Sequence, residues 1–394
     1  MAGPLDGIRI VDLSSVLMGP SATQALGDMG ADVIKVESPA GDTTRRIGPG
    51  RHDSMGSNFL NMNRSKRSIS LDLKHPRSRG VLDRLIANAD VLVHNIRPQA
   101  AQRLGLAYAD VEAINPKIIY CALTGFGSGG PYSGQPAYDD LIQGLSALPA
   151  LYERCGGIPR FVPTPIADRV AGLNAVIAVT AALLHRERTG EGQAVEVPMF
   201  ETMAHLVLAD HMYGRTFVPS LGEAGYNRVL SPSRHPYRTV DGWLCVLIYN
   251  DKQWQSFFTL TGREDMATDS RYASMRGRND HIDALYDFVA KTLLTRTTIQ
   301  WMKLLQSVDI PAGPMNTLES LMEDPHLAAV GFFETVEHPT EGAINTMRVP
   351  VTYSKSQPRP HRPAPNLGEH GREVLCENGF SDEEINSLTA AGVL

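Results

Sequence analysis

The sequence predicts an α/β protein: a doubly wound, mostly parallel, Rossmann-like sheet forms a large domain, and a smaller α+β domain is added to it. Two observations carry this. Short apolar segments alternate with helical stretches over the first 130 residues. The segments read as buried strands, and strand–helix alternation builds parallel sheets with ligands at the carboxyl ends of the strands. From Tyr213 to Pro236 the chain turns rich in Gly, Pro and Ser, and a different pattern follows.

In order, "IRIVDLS" (8–14) predicts the first strand, "GPSATQALGDMG" (19–30) a turn and helix, and "ADVIKVES" (31–38) the second strand. Strands are predicted again at 67–74, 89–96 and 117–127, with helices at 77–88 and 99–104 between them. The first βα turn carries Gly19-Pro20 and no GxGxxG, so Glu37, placed like a ribose-binding acid, is weak support for a dinucleotide site. "YRTVDGWLCVLIYN" (237–250) predicts a hairpin around Asp241-Gly242, and helices are predicted near 251–262, 278–293 and 297–307. These divisions give a large domain over 1–225, a small domain over 226–320 and a return segment over 321–394 that completes the large one. Ser381 and Glu384 form a capping box for a final helix.

The chain has 394 residues, is 42% hydrophobic and 20% charged, and carries a net charge of -6, which disfavours nucleic acid as a partner. The strongly apolar run near 170–184 falls short of the ~18 residues needed to span a bilayer. No basic region precedes the first apolar stretch, so a cytoplasmic enzyme is expected. The four cysteines are far apart, which suggests neither a zinc site nor disulfides, and the twelve histidines show no metal-ligand spacing. Between Arg45 and Arg103, ten Arg and two Lys face four Asp and no Glu, about +8 inside an acidic protein. Such a field captures polyanions, and a phosphate-rich small molecule is the implied ligand.

"TGFGSGGP" (124–131) follows a strand and could cradle phosphates, but it lacks the ending of a P-loop. "VPTPIADRVAGLNAVIAVTAALLHRERTGEG" (162–192) reads as a long buried helix with a basic last turn. By residue type alone, Asp168 at its start reads as an N-cap.

Several segments, "GIRIVDLS", "LGDMGADVIKVE", "NRSKRSISLDLK", "ADVLVHN", "LTGFG", "IADRVAG", "YRTVDGW", "PAGPMNT", "DPHLAAVGFF" and "NLGEH", together resemble the class III CoA-transferases. This group includes formyl-CoA and carnitine CoA-transferases, with the α-methylacyl-CoA racemases as relatives. The resemblance runs along essentially the whole chain. It implies an interlocked homodimer that moves CoA between an acyl-CoA donor and a carboxylic acid acceptor, with CoA as part of the substrate and no metal. By position, Asp168 matches the nucleophilic aspartate, and Val16, Lys74, Asn95, Arg103 and Tyr138 match residues lining the CoA site. Each tetrahedral intermediate of such a transfer needs N–H donors for its oxyanion, and the Gly125, Gly127, Gly129 and Gly130 backbone is a candidate. Formyl-CoA transferases have glutamine where Leu17 stands and a basic residue at Ser38, which disfavours formyl-CoA and oxalate. The racemases have histidine where Tyr138 stands, and a phenol titrating near ~10 suits α-proton transfer poorly. An acyl-CoA racemase and a non-catalytic CoA-binding protein are the alternatives. Arg169 and Arg234 point toward succinyl-CoA or a related dicarboxylyl donor.

Overall fold

The computed structural model describes residues 3–394. The chain divides into two compact units: one runs to Ser146 and adds Val162–His205 and His326–Leu394, and the other comprises Ala147–Phe161 and Leu206–Pro325.

The first unit is built on six parallel strands, β1 (Arg9–Asp12), β2 (Asp32–Glu37), β3 (Lys66–Ser70), β4 (Val91–His94), β5 (Ile119–Thr124) and β6 (Gln193–Pro198). Their order is β3-β2-β1-β4-β5-β6. Val11 lies beside both Ile34 and Leu92, so one apolar row crosses the centre of the sheet. That row and Tyr120 pack on Val81, Leu85 and Ile86 of helix α2 (Ser78–Ala87), and on Val374, Leu375, Ile385 and Leu388 near the C-terminus. Helix α1 (Met18–Asp28) packs against the sheet and against a long helix described below. Both faces are covered, so strands such as VLVH are fully buried and read as apolar runs, not alternating ones. Helix α3 (Pro98–Arg103) starts with a proline whose missing N–H costs nothing at that position. Helix α4 (Asp139–Leu145) follows β5, and α5 (Ile166–Thr189) precedes β6.

Two expectations are corrected here. Gly19 and Pro20 lie inside α1, and the first βα turn is Ser14–Leu17. The apolar run near 170–184 belongs to a helix of 24 residues, long and apolar enough by composition to cross a bilayer. In the fold, its Ala171, Ala175, Val179 and Ala182 are buried, with α1, β5 and β6 against it. β6 and the antiparallel hairpin Phe333–His338/Gly342–Met347 are elements that the sequence reading did not foresee.

The second unit holds the antiparallel pair Tyr237–Arg238 and Trp243–Val246 around Asp241-Gly242, and Ala312–Pro314 pairs with its second strand. Helices Asp251–Leu260, Ile282–Leu293 and Thr298–Ser307 bury Trp254, Phe257, Phe258, Leu285 and Trp301 against it. The capping box of Ser381 and Glu384 is formed. All four cysteines are free; Cys121 is buried, its thiol pushed up to about 12 by desolvation, whereas Cys245 and Cys376 are exposed.

Candidate active site

Strand order reverses between β1 and β4, and the loops leaving their carboxyl ends separate to leave a crevice. A cleft of about 200 Å³ opens there, lined by Ser15, Val16, Asn95, Arg97, Gly125 and Tyr138, among others. Three of the expected ligand-binding residues, Val16, Asn95 and Tyr138, therefore meet in one place. Tyr138 is 72% exposed at the start of α4 and free to meet a ligand. Asn95 is engaged: its amide Nδ2 donates to the Ser15 carbonyl at 2.8 Å and its Oδ1 accepts from the Ser15 N–H at 3.1 Å. It ties the two loops together at the reversal point.

Lys74 and Arg103 lie elsewhere, on a second cleft of about 360 Å³ with His75, Ser78 and Arg79. Helix α3 joins the two clefts, since Arg97 and Pro98 line the first and Arg103, its last residue, lines the second. At 1.5 Å per residue the clefts are roughly 8 Å apart along that helix. An extended ligand is suited to both; a compact one is not.

Asp168 is the third residue of α5, and its position overturns the cap reading. The N-cap is Pro165, which has no side-chain cap bond. The acceptor comes from another helix: the Asp168 N–H donates to Asp139 Oδ2 at 3.0 Å. Asp139 is buried, and its Oδ1 accepts from Gln143 Nε2 at 2.5 Å, while Gln143 Oε1 accepts from the Val162 N–H at 2.8 Å. Asp139 thus fixes the start of α5 and frees the Asp168 carboxylate. This role was missed, and its only sequence signal was the neighbouring Tyr138.

Met18, the first residue of α1, packs against the start of α5. The approach depends on Gly172, one turn along α5, where a Cβ would meet the Met18 carbonyl at 2.9 Å and Ser21 Oγ at 2.8 Å. Burial pushes Asp168 up to about 6, the charge of Asp139 adds to this, and Arg169 and the Met18 N–H oppose it. The result is a carboxylate held above its ordinary range, with the N-terminus of α1 packed beside its helix.

Much of the basic segment is spoken for. Arg45 pairs with Glu37 at 2.7 Å, Arg64 with Asp28 at 2.8 Å and Lys66 with Asp12 at 3.2 Å. Arg67 is buried and holds Asp32, Glu373 and Glu377 at 2.6–2.9 Å. Glu37, also buried, cannot serve a ribose. The glycine turn is similarly committed: the Gly127 N–H donates to Glu201 at 2.9 Å and the Ser128 N–H and hydroxyl donate to Glu196. Gly127 is therefore not a free oxyanion donor. Among the described residues no cluster of three metal-ligating side chains occurs.

Comparison with known proteins matches this arrangement to one family. The profile of CoA-transferase family III fits residues 5–371. A succinate–glutarate CoA-transferase of Agrobacterium fabrum is 36% identical over 95% of this chain and 95% of its own length. A succinyl-CoA:glutarate CoA-transferase of Mus musculus is 33% identical over 99% of this chain and 90% of its own. Among solved structures, a CAIB/BAIF family protein from Brucella suis superposes with a TM-score of 0.79 at 32% identity, covering 96% of this chain and all of that one. With a family profile spanning nearly its whole length and relatives of this identity and coverage, the chain belongs to CoA-transferase family III and is a CoA-transferase.

Proposed function

We propose that the chain moves CoA from a dicarboxylyl-CoA such as succinyl-CoA to a second carboxylic acid, with Asp168 as nucleophile. The observation that carries this reading is the Asp168 carboxylate, half-buried beside Asp139 at the start of a helix against which α1 packs. An Asp168 oxygen attacks the donor thioester carbonyl, the C–S bond breaks, and CoA leaves as thiolate from an acyl-aspartyl anhydride. The thiolate attacks the aspartyl carbonyl, releasing the donor acid and leaving an aspartyl-CoA thioester. The acceptor carboxylate then attacks that carbonyl, expelling thiolate and forming a second anhydride. Thiolate attack on the acceptor-derived carbonyl gives the new acyl-CoA and returns Asp168. At the aspartyl carbonyl, the Met18 N–H is the proposed oxyanion donor, since Gly127 is committed to Glu201.

In this reading Lys74 and Arg103 hold the phosphates of CoA, Val16 supplies an apolar wall, and the pantetheine arm runs along α3 toward Tyr138 and Asp168. Asn95 acts through the loop it holds. A dicarboxylate is favoured by the succinyl and glutarate relatives and by the exposed cation Arg169 beside Asp168. Incubation with succinyl-CoA and glutarate should give glutaryl-CoA by mass spectrometry. Changing Lys74 or Arg103 to Ala should raise the KM for succinyl-CoA about tenfold with little change in kcat, because distant phosphate clamps supply uniform binding. Unaltered KM values in both variants would refute this placement of CoA.

The protein is further proposed to be an interlocked homodimer acting in the cytoplasm. Support for the dimer comes from α5, whose Leu173, Ile177 and Leu184 are 63, 64 and 51% exposed. A helix with apolar side chains on both inner and outer faces needs a second cover. Light scattering should give twice the chain mass, and Leu173→Glu/Ile177→Glu should shift it toward the monomer. A monomeric wild type would overturn the dimer.

A further inference from the structure

The turn between β1 and α1 contains a conformation that does not hold itself. Val16 has φ +72, the left-handed region, where a β-branched side chain is a steric outlier. The geometry points to Asp42 and Lys35 as a positioning pair that locks Val16 in this conformation and so aims the first N–H of α1 at Asp168. The inference rests on the reading of Asp168 as nucleophile.

Asp42 is buried, and both its carboxylate oxygens accept from the Val16 N–H at 3.3 Å. Lys35 Nζ donates to Asp42 Oδ2 at 3.0 Å and to the Ser14 carbonyl at 3.0 Å. Thr44 fixes the other oxygen, with its N–H and hydroxyl at 2.9 and 2.8 Å from Asp42 Oδ1. On the far side of the turn, the Ser14 N–H and hydroxyl donate to Asp12, itself held by Lys66 Nζ. Each anchored group lies within four residues of Met18, and Gly172 leaves no slack on the α5 side. Releasing Val16 lets the turn relax toward negative φ and swings the Met18 N–H away from the carboxylate.

Neither Asp42 nor Lys35 reaches the reacting atoms, so the test must separate positioning from folding. The charged groups facing Asp168 are Asp139 of α4 and Arg169 of its own helix, together with the Met18 N–H of α1. Because that N–H lowers the Asp168 pKa, its loss moves the acid limb of kcat/KM upward. Asp42→Asn, and the Lys35→Met/Asp42→Ala double variant that leaves neither charge of the pair unmatched, are assayed with acyl-CoA from pH 5 to 8. The expected result is a ten- to hundredfold fall in kcat, a raised midpoint, and slower hydroxylamine trapping on the "PIADR" peptide. Adding Val16→Gly to the double variant should recover part of the lost kcat, since glycine enters the left-handed region without a clamp. Folded variants with an unshifted midpoint and wild-type trapping overturn the inference while leaving Asp168 in place. Absence of any adduct in the wild type overturns both.

Discussion

Asp168→Asn is expected to abolish CoA transfer, with kcat down by roughly 10³-fold or more, while the fold survives. The amide cannot form the anhydride or the enzyme thioester. Nothing structural depends on its charge, because Asp139 receives the Asp168 backbone N–H and the cap of α5 does not involve the carboxylate. Stability should not fall. A carboxylate whose folded value is raised to about 6 binds its proton more tightly when folded, so its contribution is most favourable at low pH and is lost as pH rises through 6. At pH 8 the ionised group costs on the order of 3 kcal/mol, which Asn removes. In the wild type, kcat/KM should rise with pH through about 6 and level above it, as the attacking form appears. Donor acyl-CoA without acceptor should leave an adduct on Asp168 that hydroxylamine or borohydride traps. A verified Asn variant, free of deamidation, with near wild-type transfer would sink the mechanism.

Arg45→Ala should be the most damaging change outside the reacting groups. Its guanidinium is 1% exposed, bonds Glu37 through Nε at 2.8 Å and Nη2 at 2.7 Å, and stacks 3.6 Å over Phe59. It also donates to the Pro365 carbonyl at 3.2 Å, tying the return segment to β2. Burial alone would raise the Glu37 pKa; the hydrogen bonds of Arg45 and the charge of Lys35 hold it below the ordinary value. Removing Arg45 strands that carboxylate, at a cost of about 3–5 kcal/mol. The urea midpoint of the unit containing β1–β6 should fall accordingly. Glu37→Gln/Arg45→Met, which removes both charges, should be less destabilising than Arg45→Ala alone; the reverse order would refute the argument.

The sheet was legible where strands are buried on both faces, since β1, β2 and β4 carry short apolar cores (Ile10-Val11, Val33-Ile34 with Val36, and Val91–Val93). β6, QAVEVP, lies at the sheet edge with half-exposed side chains, and its polar alternation gave no such signal. The site was less legible because its logic is non-local. Residue type made Asp168 a cap, and only the family resemblance made it a nucleophile; the true acceptor for the helix start, Asp139, stands 29 residues away on another helix. The charge of the basic segment was visible, but the partners that consume it were not. Arg67 is matched by Glu373 and Glu377, more than 300 residues later, and Glu37 by an arginine placed opposite it by a loop. Lys74, Arg79, Arg97 and Arg103 are the part of that segment on the cleft walls.

In the proposed mechanism, the setting of Asp168 also shapes the heights of the states between substrates and products. Exchanging one thioester for another is nearly level overall, whereas a mixed anhydride lies above either end. Had the resting carboxylate been fully hydrated, both the anhydrides and the thioester would be reached from it by a steeper ascent. Asp168 is instead held where its anionic form is unfavourable, between a desolvating wall and the charge of Asp139. Once acylated or thioesterified, the side chain is neutral and that penalty disappears. The resting level is lifted while the covalent levels are not, so the profile becomes shallower in both directions. An enzyme that must run its chemistry forward with one acid and backward with another is served by a landscape of low, even steps.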